Sequence, residues 1–95
     1  MDENNVYDAI ALSIIKNQEN IIGPIAVERA QYVTGLNVDW QNKIVHITAE
    51  PLATIDNLVE QYTVLFGQLS VEVCKEATNR FRTQLDTKQL PASLR

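Results

Sequence analysis

One cysteine, one histidine, one tryptophan, three glycines and three prolines in 95 residues leave little catalytic chemistry to place. Cys74 on its own excludes an internal disulfide and any CxxC pair for zinc or redox exchange, and a lone thiol suits a reducing compartment. No apolar run reaches the roughly 18 residues of a membrane span, and no basic and apolar leader opens the chain. The expected location is therefore cytoplasmic, with no membrane partner. The glycines are too dispersed for GxGxxG or GxxxxGK, which need several to wrap backbone around phosphate, so Gly23-Pro24 reads as helix punctuation.

The remaining titratable groups are weak candidates for chemistry. His46 has no second histidine or cysteine near it in sequence, and a single imidazole on a strand reads as a solvated or hydrogen-bonded side chain. Cys74 follows Val73 in an apolar helical stretch, where a free thiol behaves as a small hydrophobe. Asp56 with Glu60 and Glu72 with Glu76 stand four residues apart, the spacing of solvated helix faces, and no EF-hand pattern is present. The expectation is a protein that is not an enzyme and carries no metal or cofactor. Arg80 and Arg82 flank Phe81, but scattered cations on a chain of net charge -4 cannot offset a phosphate backbone, so no nucleic-acid partner is expected.

What is present is a globular composition, 45% hydrophobic and 21% charged. A chain this short buries only about two thirds of its unfolded surface, so the core is thin. Charge is uneven: residues 1–74 carry three basic against ten acidic side chains, and residues 75–95 five basic against two acidic. Cations near a helix C-terminus complement its dipole, which accounts for the bias simply, though docking on an acidic partner is an alternative use.

Apolar spacing divides the chain into six elements. Val6, Tyr7, Ile10, Ile14 and Ile15 recur at helical intervals, with Asn4 or Asn5 as cap and Asp8 in the opening turn, and predict a helix to about Asn17. Ile22, Ile25, Ala26, Ala30 and Val33 predict a second, starting near Gly23, unless Pro24 merely kinks one longer helix. Between residues 36 and 48 the period changes to two. A loop at Gln41 and Asn42 pairs Trp40 with Lys43, Val38 with Val45 and Leu36 with Ile47. One face then carries Leu36, Val38, Trp40, Val45 and Ile47, and the other Asn37, Asp39, Ile44, His46 and Thr48.

Pro51 opens a third helical stripe through Leu52, Ile55, Leu58, Val59, Tyr62, Leu65, Phe66 and Leu69, continuing to Val73, Ala77, Phe81 and Leu85. As one helix, residues 51–85 would be about 50 Å long, beyond the roughly 30 Å breadth of such a domain, so a break at 67–70 with Ser70 as cap is favoured. The prediction is one α+β domain over 1–85, ordered α-α-β-β-α-α, with the long or broken C-terminal helix packed on one sheet face and 86–95 a flexible tail.

Function follows by elimination. The first expectation is a small adaptor or assembly factor that binds a partner protein or peptide in an apolar groove or along the sheet edge. Trp40, Ile44 and His46 on the hairpin would line it with Tyr62 and Phe66 on the facing helix. A second is a homodimer or larger oligomer built through the hairpin edge and the long helix, since a lone hairpin is marginal in water. A third is a ligand-binding or enzyme subunit whose pocket is completed across an interface, with His46, Cys74 and the carboxylates as its only reactive groups.

Overall fold

A computed structural model describes residues 3–94. The chain folds as α+β in the order expected: α1 (Glu3–Ile22), α2 (Ile25–Ala30), β1 (Leu36–Asp39), β2 (Ile44–Ile47), α3 (Pro51–Phe66) and α4 (Gln68–Thr78), followed by 3₁₀ turns at Asn79–Phe81, Thr87–Gln89 and Ala92–Leu94. Its 20-residue α1 is about 30 Å long at 1.5 Å per residue, matching the longest dimension of 31 Å. Every other helix and β2 pack on it.

Helix α1 includes Asn4 and Asn5 and runs five residues past Asn17. The apolar series fails at Gln18, yet Gln18 is only 1% exposed, because its Nε2 donates to Ser70 O at 3.1 Å and lies 3.4 Å from Cys74 Sγ. One turn earlier Ser13 Oγ donates to Ala77 O at 3.0 Å. These links set α1 antiparallel against α4. Gly23, at φ 82°, ends α1, and α2 is shorter than its apolar spacing implies, giving way after Ala30 to turns closed by Tyr32 N to Arg29 O and Val33 N to Ala30 O.

The hairpin has the expected register: Leu36 opposite Ile47, Asn37 opposite His46, Val38 opposite Val45 and Asp39 opposite Ile44. Its ladder stops one pair short of Trp40 and Lys43. Gln-Asn does not favour a tight two-residue turn, so the loop widens; Lys43 N bonds back to Trp40 O, Lys43 takes φ 56°, and Asp39 accepts from Asn42 Nδ2 at 2.8 Å. Leu36, Val45 and Ile47 are buried, Val38 and Trp40 half-buried, and Asn37, Asp39, Ile44 and His46 exposed, the alternation a one-sided sheet requires.

Glu50 caps α3 by accepting from Leu52 N and Ala53 N, with Pro51 in the first turn where its missing amide costs nothing. The helical stripe breaks at Gly67, not through a Ser70 cap. Gly67 has φ 73° and ψ -156°, a region essentially closed to residues with a Cβ. The break shifts the helical phase: α3 buries Ile55, Leu58, Val59 and Tyr62, whereas α4 buries Ser70, Cys74 and Thr78, one residue later than Leu69, Val73 and Ala77 of the uninterrupted stripe, with Ala77 buried as well. Val73 is left half-buried and Leu69 exposed.

Residues 86–94 differ from the loose tail expected. Leu90, Pro91 and Leu94 are buried, Tyr7 donates to Gln89 O at 2.7 Å, Arg82 Nη2 donates to Leu94 O at 2.8 Å, and Ser93 N donates to Asp56 at 3.2 Å. Two leucines and a proline have no helical or strand period, yet they close the open end of the core.

Gly67 yields a direct test. A Cβ built there meets nothing within 4 Å, so the penalty of Gly67→Ala is conformational alone. We expect the unfolding free energy to fall by about 1–3 kcal/mol in urea titrations; an unchanged midpoint would show that the break does not depend on glycine.

Candidate functional site

The five residues expected to line one groove lie in separate environments. Trp40 faces α1: its Nε1 donates to Glu19 Oε2 at 2.9 Å, and Lys43 Nζ sits 4.1 Å from its ring centroid. It fastens the loop end of the hairpin to the helix. Ile44 and His46 point the opposite way, because strand alternation sends neighbours of a core-facing residue to the outer face. Tyr62 is fully buried, donates its hydroxyl to Ala26 O at 2.7 Å, and titrates well above the usual phenol range because burial disfavours the charged form. Tyr62 is therefore corrected from a groove-lining side chain to a core one. Only Phe66, 41% exposed at the end of α3, meets solvent beside other large apolar groups.

Those groups form an elbow around Gly67. Val64 is 77% exposed and Leu69 67%, with Leu65 and Phe66 between them in the chain. Ile21 extends the surface from α1, where it lines a cleft of about 250 Å³ with Val73, one turn on from Leu69. On the other flank Val64 and Tyr32 share an open cleft of about 340 Å³ with Asn57, Glu60 and Gln61. Three of the elbow residues, Leu65, Phe66 and Leu69, belong to the stripe that the apolar spacing assigns to the core. Two sequence signals mark the elbow: Val64 lies off the stripe, and Gly67 interrupts it.

The outer face of the hairpin carries a second arrangement. Asp8 Oδ2 lies 3.0 Å from His46 Nδ1, and Asp8 Oδ1 accepts from Ile47 N at 2.8 Å. Thr48 N bonds to Gly35 O, so alternation of the antiparallel ladder turns the amides of Leu36, Val38, Val45 and Ile47 outward. Asp8 thus satisfies an edge amide of β2, and Leu36 N bonds to Val33 O on the other edge. The edge available for strand addition is smaller than a bare hairpin implies. Asp8 lies a turn deeper in α1 than an opening-turn position, and its carboxylate serves the sheet, not the helix dipole.

Cys74 is fully buried between α1 and α4, and burial pushes its thiol up to about 11, although Gln18 offsets part of the shift. The thiolate that nucleophilic or redox work needs is scarce near neutral pH. Among the described residues no group of three or more His, Cys, Asp or Glu converges as metal ligands, and no helix is long and apolar enough to cross a membrane.

Two measurements follow from these contacts. Asp8→Ala strands the outward amide of Ile47 and should destabilise by about 1–3 kcal/mol in urea unfolding; Asp8→Asn, which keeps an acceptor oxygen, should cost less, and equal costs would remove the clamp from the account. For Cys74 the folded pKa is raised, so the folded state holds its proton where the unfolded thiol loses it. Stability should be lost as pH rises from about 9 to about 11, and Cys74→Ala should flatten that part of the profile relative to wild type. Set beside known proteins, the chain matches no protein family, no curated protein and no solved structure.

Proposed function

We propose that the protein is a small interaction module, an adaptor or assembly factor, that binds the apolar surface of a partner protein through the elbow between α3 and α4. The observation that carries the reading is the exposure of Val64, Leu65, Phe66 and Leu69 within six consecutive positions. Single exposed apolar residues are ordinary, but a contiguous set on a small domain is costly to hydrate and marks a contact surface. Phe66 is the natural anchor, since a ring with one covered face adds much area at low entropic cost.

Of the residues nominated on the hairpin, Ile44 and His46 remain available to a partner on the outer face, and Trp40 contributes by holding that face in place. Self-association through the same elbow is the second reading, favoured by the same exposed set; pairing along the sheet edge has less support, because Asp8 and Val33 already take edge amides. The unpaired, buried Cys74 fits a reducing, cytoplasmic setting.

Site-specific photo-crosslinking in the source cells tests the reading. A photoreactive residue at position 65 or 69 should give one discrete adduct that is absent when the probe sits at position 41 on the hairpin loop. Leu69→Lys should abolish the adduct at 65 while changing stability by no more than about 0.5 kcal/mol, as exposed positions do. An adduct of twice the chain's mass would select self-association. No adduct at either elbow position would end the proposal.

A further inference from the structure

We infer that the channel holding residues 86–94 is a peptide-binding groove filled in cis, and that it accepts the same Leu-Pro-x-Ser-Leu segment from a second copy of the chain. This surface is separate from the elbow: Tyr7, which grips the segment, and Ile21, at the elbow, are 14 positions apart on α1, or about 21 Å.

The segment is held as a bound peptide is held. Its three buried side chains, Leu90, Pro91 and Leu94, enter the core, and its last turn, Ala92–Leu94, packs on α3 and α4. Its polar groups are gripped by side chains from three parts of the body. Tyr7 of α1 donates to Gln89 O; Arg82, past the end of α4, donates to Leu94 O; Asp56 of α3 accepts from both Ser93 N and Ser93 Oγ. Backbone groups plus one serine are read at fixed spacing, with apolar anchors between them, which is how grooves recognise short peptides.

The segment also brings its own shape. Gln89 N closes a turn on Asp86 O at 2.8 Å, Gln89 Oε1 accepts from Asp86 N at 2.8 Å, and Leu94 N closes a second turn on Pro91 O at 2.9 Å. These bonds are internal to the segment and travel with it, so little order is lost on transfer. None of its residues belongs to an α-helix or a strand; in the connection Thr83 and Gln84 are exposed and Leu85 is buried, so Leu85 leaves with the segment while α1–α4 and the hairpin stay intact. A tethered segment has an effective concentration near the millimolar range, which keeps the groove filled in cis until the segment loosens or copies become crowded. Exchange of an identical element between copies is a low-cost route to a dimer.

The test uses the full chain with a protease site inserted between Thr83 and Gln84, cut after folding, and a fluorescent peptide of residues 84–94 as probe. The cut segment should stay bound and exchange with the probe at a dissociation constant on the order of micromolar. A probe with Leu94→Ala, or a body with Asp56→Ala, should bind at least about tenfold more weakly. A body that stays folded after cutting but retains no probe at about 1 mM overturns the groove. If cutting unfolds the body, recovery of helical signal on adding probe supports the groove, and failure to recover overturns it. Uncut chains with two different tags, refolded together at high concentration, should give a mixed dimer that Leu94→Ala diminishes; recovery of monomers alone would overturn exchange between copies. Leu69→Lys should leave all of these readouts unchanged, which separates the groove from the elbow.

Discussion

A backbone at φ 73° and ψ -156° is open to glycine and to almost nothing else, and at Gly67 it turns the chain from α3 into α4 within a single residue. Three features of the molecule depend on that turn. The phase of the helix shifts, so α4 presents Ser70, Cys74, Ala77 and Thr78 to the interior in place of Leu69 and Val73. The direction of the chain shifts, so α4 runs back along α1. The return of α4 then delivers residues 86–94 to the far end of the core, where they close it against Tyr7 and Asp56.

The α1–α4 interface made possible by that turn is unusual in being seamed by polar groups. Ser13, Gln18 and Ser70 are buried there, and Ser13 and Gln18 of α1 donate across it to main-chain oxygens of α4, at Ala77 and Ser70, while buried Thr78 donates within α4 to Cys74 O. Among the described residues no buried side-chain nitrogen or oxygen lacks a partner. Small residues on α4 let the helices approach closely, and the directional bonds fix how far one can slide along the other. An interface of leucines would tolerate more sliding, because dispersion has little directional preference.

The same chemistry explains what was legible in the sequence. The hairpin, its register and its buried face were readable because a period of two leaves one consistent pairing of Leu36, Val38, Val45 and Ile47. Pro51 and Gly67 marked their boundaries by stereochemistry. The last turns of α1 were not legible, since Gln18 looks like solvent-facing polarity until Ser70 O is known to be opposite it. Nor was the closing segment, whose Leu90, Pro91 and Leu94 follow no repeat. The site was the least legible part. Whether Leu69 faces core or water is decided by two backbone angles at a neighbouring glycine, and whether Tyr62 is covered is decided by Ala26, 36 positions away.

Trp40 is the single tryptophan of the chain, and it sits with Glu19 against its indole nitrogen and Lys43 over its ring. Its emission therefore comes from one place, the seat of the hairpin on α1. Loss of that seat would shift the spectrum while the helices keep their far-ultraviolet signature, and changes at the elbow or beneath the closing segment would leave the indole untouched. The fold carries its own two-channel readout, in which detachment of the sheet and melting of the helices can be followed separately in unmodified protein.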